Sequence, residues 1–492
     1  MKFLKTFNYA SIALVLILFA SCSDSLEPEV YSETAPDNLF ETLEGIESVL
    51  FSGYANLAEN NGNSLANVLG VEECMGDNGY VVSSWTPTYQ NFIMDPASVH
   101  TFFYTKPYEA IRDANIILEE IDDAPIDASS ITLIKAEATF IRAASYYTLY
   151  MRFGGVPLRT SSDDELELPR ASEEAIVSFV ESELTASLSG LPEPGEESQY
   201  GRANKGAAHG FLMKLYLNTK QWQKAADEAK TIMDMGAYGL FPDYFSLFFV
   251  ANEGNEEMIW VKEGQKDTGR SAGNSFMNFA YPYAPSPFYY HPRTGLYFPE
   301  SARNFDDSNL FVYDSWYETF DPNDTRKDLI ITEYVGEDGE LHNLANVDDE
   351  NIGRRPFKYW PDDGAAGPGY GNDVPVIRYA DVLLTRAEAL NELNGPNQES
   401  IDLINQVRER AGIDDLQLSD FGSKADLRDH ILTERGWEFW YEGKRREDLI
   451  RTGKLIERAQ ERGLPAQSYH VHYPIPQTIM DANPALVQDE GY

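Results

Sequence analysis

The chain has 492 residues and a formal charge of −41, from 80 acidic against 39 basic side chains. A balance of that sign repels phosphate backbones and anionic lipid headgroups at long range, which argues against nucleic-acid binding and electrostatic membrane docking. With 42% hydrophobic and 13% aromatic residues the chain has ample core material, and its 29 Tyr and 7 Trp suit carbohydrate faces as well as cores.

Residues 1–21 read as a secretory signal peptide. Lys2 and Lys5 open it, an apolar run spans 10–20, and small residues precede Cys22; the run is too short for a transmembrane span. Phe19-Ala20-Ser21-Cys22 resembles the bacterial lipobox, with Phe19 in place of the usual aliphatic residue. That resemblance implies cleavage before Cys22 and a lipid on the new N-terminal cysteine. Loss of 1–21 removes two lysines and no acids, taking the charge from −41 to −43. No other stretch nears the roughly 20 apolar residues of a spanning helix, so membrane attachment is expected through Cys22 alone. The other cysteine, Cys74, is expected as a buried free thiol. Residues 22–36, acidic, polar and proline-containing, read as a flexible tether, and 37–492 as a single binding domain.

Apolar residues spaced three and four apart predict helices over 38–57 and 105–121. The clearest helix of the first half is 130–153, which stops at Gly154-Gly155 ahead of Val156-Pro157. A helical pair follows over 205–217 and 221–235, turning at Asn218-Thr219-Lys220, and a second pair over 376–391 and 398–411. Alanines at crowded positions (Ala207, Ala208, Ala225, Ala226, Ala229; Ala380, Ala387, Ala389) allow close approach, as in tetratricopeptide-type hairpins. More than 150 residues separate the two pairs, which predicts scattered units rather than a uniform solenoid. Between them, 241–370 is dense in Tyr, Pro, Gly, Asp and Asn, with short alternating pieces such as 329–335. It reads as a loop-rich insertion with small β elements laid over the helical frame, of a length usually functional.

The blocks Arg378-Tyr379-Ala380-Asp381-Val382-Leu383-Leu384, Ala387-Glu388-Ala389-Leu390-Asn391, Ile404-Asn405-Gln406-Val407-Arg408 and Arg410-Ala411-Gly412 resemble the C-terminal core of the SusD/RagB family. The resemblance continues through Glu434-Arg435, Glu438, Glu442-Gly443, Arg445, Asp448-Leu449, Pro474-Ile475-Pro476 and Asp481-Ala482-Asn483-Pro484. Ala136-Glu137-Ala138 and Phe153-Gly154-Gly155-Val156-Pro157 are similar to its N-terminal signature. The resemblance implies a surface-exposed outer-membrane lipoprotein that sits as a lid on a SusC-like, TonB-dependent transporter. It also implies an oligosaccharide ligand or, in the RagB branch, a peptide. Asp24, Glu27 and Glu29 are similar to the family's acidic export signals.

Glu434, Glu438 and Glu442 fall on one helix face at i, i+4 and i+8. Glycoside hydrolysis needs two carboxyls facing each other across the substrate, so this ladder, flanked by Arg435, Arg445, Arg446 and Arg451, is expected to clamp its helix by ion pairs. His470 and His472 alternate in a strand-like stretch with no third ligand nearby, and no metal site or cofactor is expected. No nucleophile-elbow signature supports Ser-His-Asp chemistry. Asp321-Pro322-Asn323-Asp324 reads as a capped turn rather than a Ca²⁺ loop. The basic, aromatic stretch from Arg354 to Trp360 is expected to pair with local acids. Sugar C–H faces stack on aromatic rings while amides and charges take hydroxyls, which favours binding. Trp85, Tyr283, Tyr289, Tyr290 and Trp316 are the expected stacking surfaces and Asn91 the hydroxyl contact, Tyr317 lying beside Trp316. The expected protein is thus mostly α, with tetratricopeptide-like hairpins as scaffold and an aromatic loop face, and is not an enzyme. A secreted polysaccharide hydrolase and an adhesion lipoprotein are the rival readings.

Overall fold

The computed structural model describes residues 39–59, 64–82, 87–266, 274–280, 310–335, 339–344, 353–360 and 369–492. Residues 1–36, expected as signal peptide and tether and including Cys22, and Trp85, Tyr283, Tyr289 and Tyr290 lie outside them.

The first half is helical. It comprises α1 (Leu43–Leu57), α2 (Ser64–Cys74), a short strand β1 (Gly79–Val81), α3 (Pro87–Gln90), α4 (Phe102–Glu120), α5 (Ala128–Phe153), α6 (Glu173–Ser187), α7 (Lys205–Asn218) and α8 (Trp222–Met235). Local chemistry sets several of the ends. Asp127 caps α5 by accepting from the Ser129 and Ser130 N–H groups, and Gly154 ends it at φ 65°, donating to the Tyr150 carbonyl. Asn204 caps α7 by accepting from the Ala207 N–H at 2.9 Å.

The middle region carries β2 (Met258–Lys262), α9 (Phe276–Ala280), β3 (Leu310–Val312), α10 (Asp314–Tyr317), β4 (Ile330–Ile331), β5 (Glu333–Val335), β6 (Leu341–Asn343) and β7 (Arg355–Pro356). The C-terminal part holds β8 (Val374–Arg378), α11 (Tyr379–Asn394), α12 (Gln398–Ala411), α13 (Lys424–Phe439), α14 (Arg445–Arg451), α15 (Leu455–Glu461) and α16 (Gln477–Ala482). The strands form antiparallel pairs, β1 with β3, β2 with β8, β4 with β7 and β5 with β6.

Consecutive packings make one helical row: α1 on α4, α4 on α5, α5 on α6, α6 on α7, α7 on α8, α8 on α11, and α11 on α12 and α13. The two hairpins expected as scattered units are therefore neighbours in space. Ala225, Ala226 and Ala229 on α8, and Ala380, Ala387 and Ala389 on α11, are buried, and their small side chains allow the close approach. A second difference lies at 374–378. Val374, Val376 and Ile377 are β-branched, the strand pairs with β2 through Val374, Pro375, Ile377 and Arg378, and the helix begins only at Tyr379.

The aromatic middle region is less of a surface layer than its composition suggests. Tyr244, Phe248, Phe276, Phe357, Tyr359, Trp360 and Tyr370 join Trp316, Trp440 and Tyr441 in a second buried core, separate from that of the helical row. The stretch 353–360 belongs to this interior. Lys358 is fully buried and pairs with Glu442, and Arg354 pairs with Asp314, in line with the expectation of local acids.

Candidate functional site

Two three-residue strands bring distant parts of the chain together. Gly79 pairs with Val312, Tyr80 with Phe311 and Val81 with Leu310. Gly79 is needed there because a Cβ would lie 2.2 Å from the Tyr441 hydroxyl, which donates to the Phe311 carbonyl at 2.7 Å. Since Val81 lies opposite Leu310, the chain leaves toward Trp85 and returns from 281–309 at the same end of the ribbon. α9, whose last residue Ala280 opens the latter segment, packs on β3 and α2. The Gln90 side chain accepts from the Val81 N–H at 2.7 Å, which ties α3 and the half-buried Asn91 to this end.

The rings on this ribbon are ordered by their strands. Tyr80 stacks on its cross-strand partner Phe311, with centroids 4.9 Å apart and planes 7° from parallel, and tilts against Tyr313 at 4.9 Å. The Arg355 guanidinium lies 3.9 Å from the Phe311 centroid, and that of Arg354 lies 4.5 Å over Tyr317. Tyr80, Tyr313 and Tyr317 are each part-exposed. Burial raises the Tyr80 hydroxyl pKa, and Arg355 opposes the rise.

Trp316 corrects an expectation. Around the single turn of α10, Trp316 and, just beyond the turn, Phe320 are buried in the second core, whereas Tyr313 and Tyr317 pack against that core and stay part-exposed. Trp316 is 6% exposed, and its ring meets Phe320 edge-on at 4.7 Å and Trp440 at 6.5 Å, so it belongs to the second core and offers no stacking surface. Tyr80 and Tyr313 escaped sequence reasoning. A tyrosine in a three-residue strand becomes a candidate only once its partner strand, some 230 positions away, is known.

The glutamate ladder on α13 is a clamp, but its ion-pair partners are other cations than the four flanking arginines. Glu434 meets Arg326 at 2.6 Å and Arg408 at 2.9 Å. Glu438 meets Arg378 at 2.6 Å and also Arg410, and Glu442, just beyond α13, meets Arg378 at 2.8 Å and Lys358 at 2.5 Å. Burial acts to raise these carboxyls, but Arg326 and Arg408 hold Glu434 at about 2, and Arg378 and Lys358 hold Glu442 at about 2. Lys358 is pushed down to about 7 by burial, against the pull of Glu442. The flanking Arg435 and Arg451 turn instead to Asp381, Asp448 and Glu388, Arg445 to Asp77, and Arg446 to backbone carbonyls and Glu72.

Asp321 and Asp324 accept from the N–H groups of Asn323 and Arg326, Asp324 capping the 3₁₀ turn Thr325–Leu329, as a capped turn requires. His470 sits in a 3₁₀ turn, Ser468–Val471, rather than a strand, and its Nδ1 accepts from the Gln467 N–H. Cys74 is a buried free thiol whose pKa burial pushes well up.

The chain matches the model of the SusD family over residues 218–492, and a second model, described as "Starch-binding associating with outer membrane", over 26–217. The chain belongs to the SusD family. SusD-like protein P25 of Formosa agariphila is 27% identical, covering 98% of each chain. Starch-binding protein SusD of Bacteroides thetaiotaomicron is 23% identical over 87% of this chain and 84% of that one. Among solved structures, a laminarin binding SusD-like protein superposes with a TM-score of 0.76 at 24% identity, covering 91% of this chain and 99% of that one. The overall fold described above is thus that of a SusD-like protein. No helix among the described residues is long and apolar enough to cross a membrane.

Proposed function

We propose that the chain is an outer-membrane, cell-surface lipoprotein anchored through Cys22 that captures oligosaccharide and delivers it to a SusC-like, TonB-dependent transporter. The observation that carries this reading is the β1–β3 pairing within a SusD-family chain. It places Tyr80 on a ribbon whose Val81–Leu310 end, to which Gln90 ties Asn91, opens into the Trp85 segment and into the segment bearing Tyr283, Tyr289 and Tyr290, with Tyr313 and Tyr317 following the opposite end. Relatives named for starch and laminarin binding make a neutral glucan the first ligand to try. Binding without cleavage is supported by the glutamate ladder, whose carboxylates are held by guanidinium and ammonium groups and do not face one another across a gap.

Affinity electrophoresis through gels containing starch, laminarin or other glucans tests the reading. Retention should fall on replacing Trp85, Tyr80, Tyr283, Tyr289, Tyr290 or Asn91 by Ala. Unchanged retention in every variant removes the proposed site, and retention by peptides but no glycan replaces the ligand class. New reducing ends in a glycan incubation would point to a hydrolase. Co-purification with a β-barrel partner tests delivery.

A further inference from the structure

Phe51, Tyr54, Ala55 and, just past the end of α1, Ala58 fall at i, i+3, i+4 and i+7, and together they make one wall of an open groove of about 540 Å³. The turn 199–202 and the chain from the end of β2 to Gln265 make the rest. The volume is in the range of small-ligand sites, and the groove shares no lining residue with the β1–β3 ribbon or with α3.

Among the described Phe, Tyr and Trp residues only Phe51 and Tyr200 are exposed, at 39% and 49%, and both line this groove. Two such rings in one place form a patch rather than scatter. Neither ring is loose. The Arg202 guanidinium lies 5.6 Å from the Phe51 centroid, and the Tyr200 hydroxyl donates to Asp373 at 2.7 Å, while Asp373 also accepts from the Gly264 N–H at 2.9 Å. Between them stands the part-exposed Glu263, whose carboxyl makes no hydrogen bond or ion pair with any described residue. It lies against Gly201, at φ 84°, where a Cβ would collide with its Oε1. Burial, with the Asp373 charge adding, pushes its pKa up to about 7. The cations of the walls are committed elsewhere, Arg202 to Glu47 and Glu137 and Lys262 to Glu59, so neither is left to hold an anion. A cationic ligand would meet those same two groups. A neutral molecule with C–H faces for the rings and hydroxyls for the carboxyl suits the lining, and an oligosaccharide has both.

We propose that this groove is a second carbohydrate site, in which Phe51 and Tyr200 stack on the faces of a neutral oligosaccharide and Glu263 takes its hydroxyls. The ligand class rests on the capture reading above, whereas the place does not. Two sites on one chain let a long glycan bind at both, which raises its retention without new contacts at either. Crystals of the protein are soaked in maltohexaose and, separately, in laminarihexaose. Sugar against Phe51 and Tyr200 is expected. Sugar only at the Val81–Leu310 end of the ribbon overturns this inference and leaves the capture reading standing, and sugar at neither place removes both sites. In solution, affinity electrophoresis through starch and laminarin gels starts from Trp85→Ala, which weakens the ribbon end. Adding Phe51→Ala and Tyr200→Ala, both at exposed positions, should weaken the residual binding about tenfold, the worth of two stacked rings. No residual retention, or retention unmoved by the two further substitutions, means binding at crystal concentration only and overturns the proposal.

Discussion

Arg378 is fully buried and makes contacts with Glu257 at 2.6 Å, Glu438 at 2.6 Å and Glu442 at 2.8 Å. Removing one partner of a buried ion network strands the others without water, so Arg378→Met should destabilise the fold by about 3–5 kcal/mol, read from the urea midpoint. The carboxylates of this and a neighbouring cluster carry a pH signature. Burial opposes ionisation, yet Arg152 and Lys262 hold Glu59 at about 2, matching Glu434 and Glu442, against an ordinary value of 4.5. Between those values the unfolded chain binds more protons than the folded one. Their contribution is therefore complete above pH 4.5 and is lost as the pH falls toward 2, and urea midpoints should drop steadily over that window. A midpoint that stays level between pH 5 and 3 would show that these groups are not held as described. The same residues mark a limit of legibility. The i, i+4, i+8 spacing announced a clamp, but Arg326 and Arg378 as its partners could not be read, since only the packing of the middle region onto α13 brings them there.

At the scale of elements, helices declared themselves where local chemistry and period agree. α12 spans the expected 398–411, and α5 stops at the glycine pair. The cap of α7 offers a direct check. Asn204→Ala removes the acceptor for the Ala207 N–H and should cost about 1 kcal/mol, measured by thermal or urea unfolding. The α8–α11 contact offers another. Ala226 is buried, and its carbonyl accepts from the Arg386 guanidinium at 2.8 Å across that contact, so Ala226→Leu should overpack it at a cost of about 1–3 kcal/mol. A neutral result would mean that the two hairpins are not in close contact. Strand β8 was missed because a short β-branched run running straight into a helix carries no boundary of its own; pairing with β2 supplies it. α10 shows the converse. Four residues are too few for a period, so which of Trp316 and Tyr317 faces outward was decided by the core beneath.

At the scale of the molecule, the two family models meet at residues 217 and 218, within the hairpin of α7 and α8, yet the described structure does not divide there. Arg445 meets Asp77 at 2.6 Å, Tyr147 donates to Glu447 at 3.1 Å, and Arg170 meets Asp489 at 2.5 Å, each bridging the first half to the last third. We expect one cooperative unfolding transition with equal calorimetric and van't Hoff enthalpies; two resolved transitions would make the halves separate domains. From sequence alone came the helical class, the alanine-lined hairpins and the family, because these rest on composition, short-range period and ordered local blocks. Tertiary structure alone decided that the two hairpins touch, that Trp316 is core while Tyr80 and Tyr313 line the ribbon, and which cations hold the glutamate ladder. Each of those depends on contacts between residues far apart in the chain, where burial and pairing energies select among placements that local spacing leaves equivalent.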